Sequence, residues 1–166
     1  MKLLLLNLTC FLFLFSCSSQ SSRPIESLKV KRLSLVDDNG IERVVLDTKS
    51  VDVPIFGKIY KRKSPAAGII LYNSKGDETG GIAMLEDGTI SFTLDGYKGK
   101  DISERVSMYV FPDGSSGILV KDTKNNTRVK LGVDKDNNSF FELLDAKENS
   151  KLKGSLGPSG KLEIKK

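Results

Sequence analysis

Two adjacent stretches of the sequence, residues 116–138 and 139–161, repeat each other over 23 positions. Asp122 of the first stretch falls on Asp145 of the second, and Val129 falls on Leu152. The same unit extends back along the chain, interrupted by insertions at two places. Its first apolar position recurs six times, at Leu33, Ile69, Phe92, Ile118, Phe141 and Ile164. A period near 23 residues indicates a repeat architecture that covers most of the chain.

Each unit reads as two short strands joined by turns. Apolar residues alternate with others, as in Val129, Leu131 and Val133, and this alternation is the period of a strand rather than a helix. Asp, Asn and Gly cluster between the runs, as in the turn Asn73-Ser74-Lys75-Gly76, and favour tight hairpins. The prediction is an all-β fold of about eleven strands. It is an antiparallel meander of ~23-residue β-hairpin repeats, curled into a barrel or a sandwich, and the alternative is a β-solenoid.

The repeat also predicts that the two faces of the sheet differ. About twenty apolar positions fall on one face, and burying each such side chain contributes about 1.5–3 kcal/mol, so this face is expected to be covered. The other face is mixed, with Lys130, Lys153 and Ser107 beside Val45 and Ile70. A sheet with one face fully exposed to solvent is therefore not expected.

The composition excludes several kinds of chemistry. The 166 residues contain no His and no Trp, and the only cysteines are Cys10 and Cys17. The predicted folded body thus has no disulfide, no thiol nucleophile and no imidazole base or ligand. The net charge of +5 is small and dispersed, which argues against nucleic acid as a partner. No catalytic residues, metal site or cofactor are predicted.

The N-terminus carries a targeting signal. After Met1-Lys2, residues 3–15 form a nearly unbroken apolar run. This run is too short to span a bilayer, for which a helix needs roughly 20 residues, and it fits the core of a secretory signal. The sequence Leu14-Phe15-Ser16-Cys17 follows, and it resembles the lipobox of bacterial lipoproteins.

That resemblance implies cleavage after Ser16 and lipidation of Cys17, so that the membrane is a partner through this residue. It divides the chain into a signal peptide (1–16), a lipid anchor and flexible tether (17–28) and a β-repeat domain (29–166). The two positions after Cys17 hold Ser18 and Ser19, and neither is the Asp that retains enterobacterial lipoproteins in the inner membrane. The expected location is the bacterial cell membrane, and the outer membrane in a Gram-negative cell.

The body resembles an uncharacterised family of bacterial β-repeats. Units of that family read as an apolar strand, an Asp-rich turn, Arg-Val, a second strand and an Asp-Gly turn. The segments Ile41-Glu42-Arg43-Val44, Glu104-Arg105-Val106 and Thr127-Arg128-Val129 carry this signature. The resemblance implies no known activity.

The candidate binding residues lie where the period breaks, near 51–65 and 96–104. The first insertion is basic and the second is predicted to be an exposed loop, and loops on rigid scaffolds often bind ligands. The candidate binding residues are Lys58, Tyr60, Lys61, Arg62, Lys63 and Tyr97. A weaker candidate is residues 134–138, which resemble the start of a calcium loop but have Ser139 where such a loop needs Gly.

The functional hypothesis is a lipid-anchored cell-envelope protein that is not an enzyme. It is expected to act as a binding or structural module with an envelope protein or a glycan as partner. The alternative is a carboxylate-dependent envelope hydrolase, which raised-pKa carboxylates in a cleft beside Tyr97 would favour.

Overall fold

The computed structural model describes residues 25–98, 101–157 and 159–165, and in this part of the chain all regular structure is β-strand. The signal peptide and Cys17 lie outside the described residues. The strands are β1 (Arg32–Val36), β2 (Glu42–Ile55), β3 (Lys58–Tyr72), β4 (Glu78–Leu85), β5 (Ile90–Lys98), β6 (Asp101–Val110), β7 (Ser116–Lys121), β8 (Thr127–Val133), β9 (Ser139–Leu144), β10 (Ser150–Leu156) and β11 (Leu162–Lys165).

The strands form one sheet in the order of the sequence, and each strand is antiparallel to the next. The predicted all-β meander of hairpin repeats is therefore confirmed, and antiparallel pairing distinguishes it from the β-solenoid alternative. The sheet is open, because β1 and β11 are its two edges. The two insertions are strand extensions, which lengthen the β2–β3 and β5–β6 hairpins.

Eight turns share one geometry. In the turn after β1, the Gly40 N–H donates to the Asp37 carbonyl at 2.9 Å, and the Asp37 N–H donates to the Ile41 carbonyl at 2.9 Å. This is a type I turn followed by a left-handed residue, a common three-residue hairpin loop. The left-handed position holds Gly40, Gly76, Gly88, Gly114, Asn125, Asn137, Glu148 or Gly160. The Asp, Asn and Gly of the repeat are thus the residues that the turn backbone requires.

The alternation within strands gives the sheet two unlike faces. The polar face carries the row Val45, Ile70, Gly81, Thr93, Ser107, Leu119, Lys130, Glu142 and Lys153. The apolar face comprises Leu33, Leu35, Val44, Leu46, Ile69, Leu71, Ile82, Met84, Ile90, Phe92, Leu94, Val106, Met108, Val110, Ile118, Val120, Val129, Leu131, Val133, Phe141, Leu143, Leu152, Leu156, Leu162 and Ile164.

The small core lies on the polar face, where the sequence pattern did not place it. Val45, Ala66 and Ile70 are only 1–3% exposed. On the apolar face, by contrast, Leu131 is 51% exposed and Met84 is 53% exposed. The expectation that the chain covers its own apolar face is not met in the described residues. The reason is that the long β2–β3 hairpin folds over the opposite face.

Candidate functional site

The first insertion becomes a folded-back hairpin, residues 50–66, that lies on the polar face. Its tip docks at the turn between β3 and β4, where the Phe56 N–H donates to an Asp77 carboxylate oxygen at 2.5 Å. The Phe56 ring meets the ring of Tyr97 edge-on, with 6.1 Å between centroids. Asn73 in the same turn donates to the Tyr97 hydroxyl. The hairpin is therefore held at its tip by a hydrogen bond and an aromatic contact.

A buried ion pair fixes the hairpin further along. The Arg62 guanidinium lies 2.5 Å from a carboxylate oxygen of Glu78 at the start of β4. The Arg62 side chain is 19% exposed and the Glu78 side chain is 11% exposed, so water screens this pair little. The pair joins the folded-back hairpin to the sheet.

The structure separates the predicted binding residues. Lys58 and Tyr60 are exposed on the hairpin, and Lys61 pairs with Asp52 across it. Arg62 points inward to Glu78, and Tyr97 contacts the hairpin tip. The side chain of Lys63 lies outside the described residues. The two insertions thus meet, and Lys58, Tyr60 and Lys61 remain exposed to solvent.

A charged cleft of about 460 Å³ opens between the hairpin and strands β3 to β6. Three carboxylates, Glu78, Asp95 and Glu104, line this hairpin cleft together with Arg62. Glu104 accepts a hydrogen bond from the Ser107 hydroxyl at 3.0 Å and pairs with the Lys121 ammonium at 3.0 Å. Glu78 and Glu104 therefore each have a cationic partner.

Asp95 is the unusual member of the cleft. Burial raises the pKa of this carboxyl to about 6, and the nearby charges of Glu78 and Glu104 add to the effect. Asp95 is paired in register with Glu104 across β5 and β6, immediately beside a break in the ladder. The second insertion begins next to it. A carboxyl that holds its proton up to about pH 6 is thus placed in a cleft beside Tyr97.

Replacement of Asp95 by Asn is expected to stabilise the protein at neutral pH. The carboxyl titrates near 3.8 in a model compound and near 6 when folded, so the folded state binds the proton more tightly. The contribution of this one carboxyl to stability is therefore most favourable below about pH 4 and is lost as the pH rises through 6. The variant should gain about 1–2 kcal/mol at pH 7.5, allowing for the solvent that still reaches the group, and nothing at pH 4. Urea unfolding at the two pH values measures this, and an equal effect at both would contradict the assignment.

The Asp that opens each of four turns is committed to its own loop. The Asp122 carboxylate accepts the N–H groups of Lys124 and Asn126 at 2.8 and 3.1 Å. Asp37, Asp134 and Asp145 repeat this arrangement, and the side-chain amide oxygen of Asn73 accepts the N–H groups of its own turn in the same way. These hydrogen bonds favour the ionised form and lower the pKa of the carboxyls of Asp37, Asp122, Asp134 and Asp145.

The recurring cation of the repeat binds the same turns. Arg43 lies 3.4 Å from Asp37, Arg128 lies 3.6 Å from Asp122, and Lys151 lies 3.1 Å from Asp145. The Arg128 guanidinium also donates to the Leu144 carbonyl of the next strand at 2.9 Å. The Arg-Val signature therefore serves to tie each turn to its neighbouring strand.

Sequence reasoning did not single out Glu78, Asp95 and Glu104. They are separated along the chain and share no motif, although Glu104 belongs to the repeat signature, and only the register of β3 to β6 brings them together. One signal was present: Asp95 and Glu104 flank the second break in the repeat. Among the described residues, no group of three or more Cys, Asp and Glu side chains is arranged to hold a metal ion.

In the described part of the chain, no helix is long and apolar enough to cross a membrane. Comparison with protein-family models gives no match to this sequence. Comparison with curated proteins also finds none that is significantly similar.

Proposed function

We propose that the chain is a lipid-anchored cell-envelope protein that acts as a non-enzymatic binding or structural module. The observation that supports this best is the hydrogen bonding of the turn carboxylates. Each of Asp37, Asp122, Asp134 and Asp145 accepts backbone N–H groups of its own loop. The acidic residues of the repeat are thereby engaged in holding the sheet together. The partner of such a module is an envelope protein or a glycan, presented to the sheet or to the hairpin cleft.

The anchor rests on the sequence. The lipobox Leu14-Phe15-Ser16-Cys17 places a thiol for diacylglyceryl attachment at the start of the processed chain. Stable anchoring takes more than one acyl chain, and acylation of the new amino group supplies it. With Ser18 and Ser19 after the cysteine, a Gram-negative cell would deliver the protein to its outer membrane.

Replacement of Cys17 by Ala is expected to abolish lipidation. Cells grown with radiolabelled palmitate should label the parent chain and leave the variant unlabelled, and the variant should leave the detergent phase on phase partitioning. Cys10→Ala is the matched control, because this second cysteine lies inside the predicted signal peptide. It should retain the label. Labelling of the Cys17 variant would contradict the proposed anchor.

A second candidate function is a carboxylate-dependent envelope hydrolase, and Asp95 is the observation that favours it. Glycoside hydrolysis uses a pair of carboxyl groups, one of them with a raised pKa, and Asp95, whose pKa burial raises to about 6, stands opposite Glu104 on the paired strands. The ion pair of Glu104 with Lys121 argues against free use of this carboxylate as a base or nucleophile.

Incubation of the purified protein with isolated cell-wall sacculi distinguishes the two functions. Mass spectrometry should detect no newly released fragments if the protein is a binding or structural module. Release that is lost in Asp95→Asn and kept in Asp87→Asn would support the hydrolase. Asp87 is a suitable control because it accepts the Thr89 N–H in the β4–β5 turn and does not line the cleft.

A further inference from the structure

The apolar face is the largest feature of the fold that the proposed function does not use. It presents large apolar side chains that are 36–59% exposed on every strand except β3. Within residues 25–98, 101–157 and 159–165, the segment before β1 reaches one corner of this face, where Leu28 and Val30 line a hollow with Leu46 and Met84, and the rest of the face is left uncovered. A monomeric soluble protein rarely exposes a contiguous apolar patch larger than a few hundred Å².

The size of the apolar face matches a stable protein interface. Eleven strands about 4.8 Å apart, with about five residues each at about 3.3 Å, give a footprint of roughly 800 Å². A stable interface buries about 800 Å² on each partner. One partner of equal size would therefore cover the face.

We propose that the apolar face is the interface between two copies of this chain, packed face to face. Sheets pack in this way about 10 Å apart, and a two-fold interface is the commonest arrangement of identical chains. The repeat favours self-recognition, because it places the same apolar rows on each strand. A shallow apolar hollow of about 400 Å³ around Phe92, Met108 and Leu131 would receive side chains of the second copy.

The position of the two-fold axis follows from the strand order. β6 is the sixth of eleven strands, so full overlap of the two faces places the axis near β6. Met108 lies on this strand, points to the apolar face and is 47% exposed. The two Met108 side chains of a pair therefore meet at the centre of the interface.

Charge at the rim favours a second copy over a bilayer. The turns at one end of the strands carry Asp37, Asp122 and Asp145, and those at the other end carry Asp87 and Asp113. Hydrogen bonds lower the pKa of all five carboxyls, which keeps them ionised. Resting the sheet on a bilayer would press both rows of charged turns, in which Asp37, Asp122 and Asp145 pair with Arg43, Arg128 and Lys151, into the lipid surface. A second sheet at about 10 Å leaves both rows in water.

Cysteine cross-linking of the full chain in isolated bacterial membranes tests this interface. With Cys17 lipidated, the processed chain has no free thiol, so Met108→Cys supplies a single one. Oxidation should convert the majority of this variant to a disulfide-linked dimer. Lys130→Cys, on the exposed polar face, should remain monomeric and react with a polyethylene-glycol maleimide.

A second pair of variants separates loss of the interface from loss of folding. Met108→Cys combined with Leu131→Asp should lose the dimer band, because the aspartate would be buried between the sheets. Met108→Cys combined with Lys153→Asp, on the polar face, should keep it. Leu131 is half-exposed in a single chain, so the first substitution leaves the monomer folded.

Each other outcome overturns the inference. Maleimide labelling of Met108→Cys without cross-linking means that the face is open to water. Protection from maleimide without cross-linking means that lipid or a different protein covers it. The inference goes beyond the proposed anchor. A dimer band in the unsubstituted chain would show that Cys17 is a free thiol, and would therefore contradict the anchor and not the interface.

Discussion

Replacement of Arg62 by Met is expected to destabilise the protein by about 3 kcal/mol, the lower end of the range for breaking a buried ion pair. The substitution leaves the Glu78 carboxylate without its partner at a site where its side chain is only 11% exposed. The lower end applies because both side chains keep some contact with water. Urea unfolding at pH 7.5 and a fixed protein concentration measures the loss. Lys61→Met is the matched control, because Lys61 is the neighbouring residue and its side chain is 73% exposed.

The double variant Arg62→Met/Glu78→Met distinguishes the lost pair from lost packing. Removing both charges also removes the desolvated carboxylate, so stability should return to within about 1 kcal/mol of the parent. The coupling between the two sites is then large. A coupling below about 0.5 kcal/mol would mean that the two residues act independently, and that the pair does not hold the hairpin to the sheet.

Replacement of Gly80 by Ala is expected to destabilise the protein by about 3 kcal/mol or more, because strain and overpacking each cost about 1–3 kcal/mol. Gly80 has φ +130°, and a Cβ there would lie 2.2 Å from the Thr93 carbonyl oxygen of the adjacent strand. This carbonyl belongs to the backbone of β5, which is paired with β4, so it cannot move aside without loss of the hydrogen bonds between the two strands.

Gly114→Ala is the control for Gly80→Ala. Gly114 also has a positive φ, +87°, but a Cβ there meets nothing within 4 Å. This variant should lose only about 1–2 kcal/mol, the cost of a left-handed backbone for alanine. Comparison of the two urea midpoints isolates the collision, and equal losses would contradict the close approach of β4 and β5.

The repeat was sufficient to predict the meander because its signals are local. Alternation such as Val129, Leu131 and Val133 sets strand and face, and the Asp and Gly of each loop set the turn. Bringing consecutive strands together needs no long-range information. The number of strands and their antiparallel order therefore follow from the sequence alone.

The position of the core could not be inferred in this way. It depends on which side the hairpin of residues 50–66 folds over, and that choice is decided by contacts far apart in sequence. The Phe56 N–H bond to Asp77 and the Arg62 pair with Glu78 draw the hairpin to the polar face. A periodic pattern shows which side chains share a face, but it does not show what covers that face.

The same limit explains the candidate site. The sequence places Lys58, Lys61, Arg62 and Lys63 in one basic group around Tyr60. The β-strand alternation turns Arg62 to the opposite side of the hairpin from Lys61. The place of Asp95 in the cleft was not predicted, because it depends on the pairing of β5 and β6 beside the hairpin. Its raised pKa is a property of burial, which the linear sequence does not display.

Both the uncovered apolar face and the hairpin cleft require that the sheet be open. The distance between its two edges tests this most directly. Spin labels at Leu35 in β1 and Ile164 in β11, in chains diluted with unlabelled protein, report that distance by pulsed electron paramagnetic resonance. Ten strand spacings of about 4.8 Å set an upper value near 48 Å, and twist and curl reduce it, so we expect roughly 30–50 Å. A distance of about 5–15 Å would bring β1 and β11 together as neighbours and contradict the open sheet.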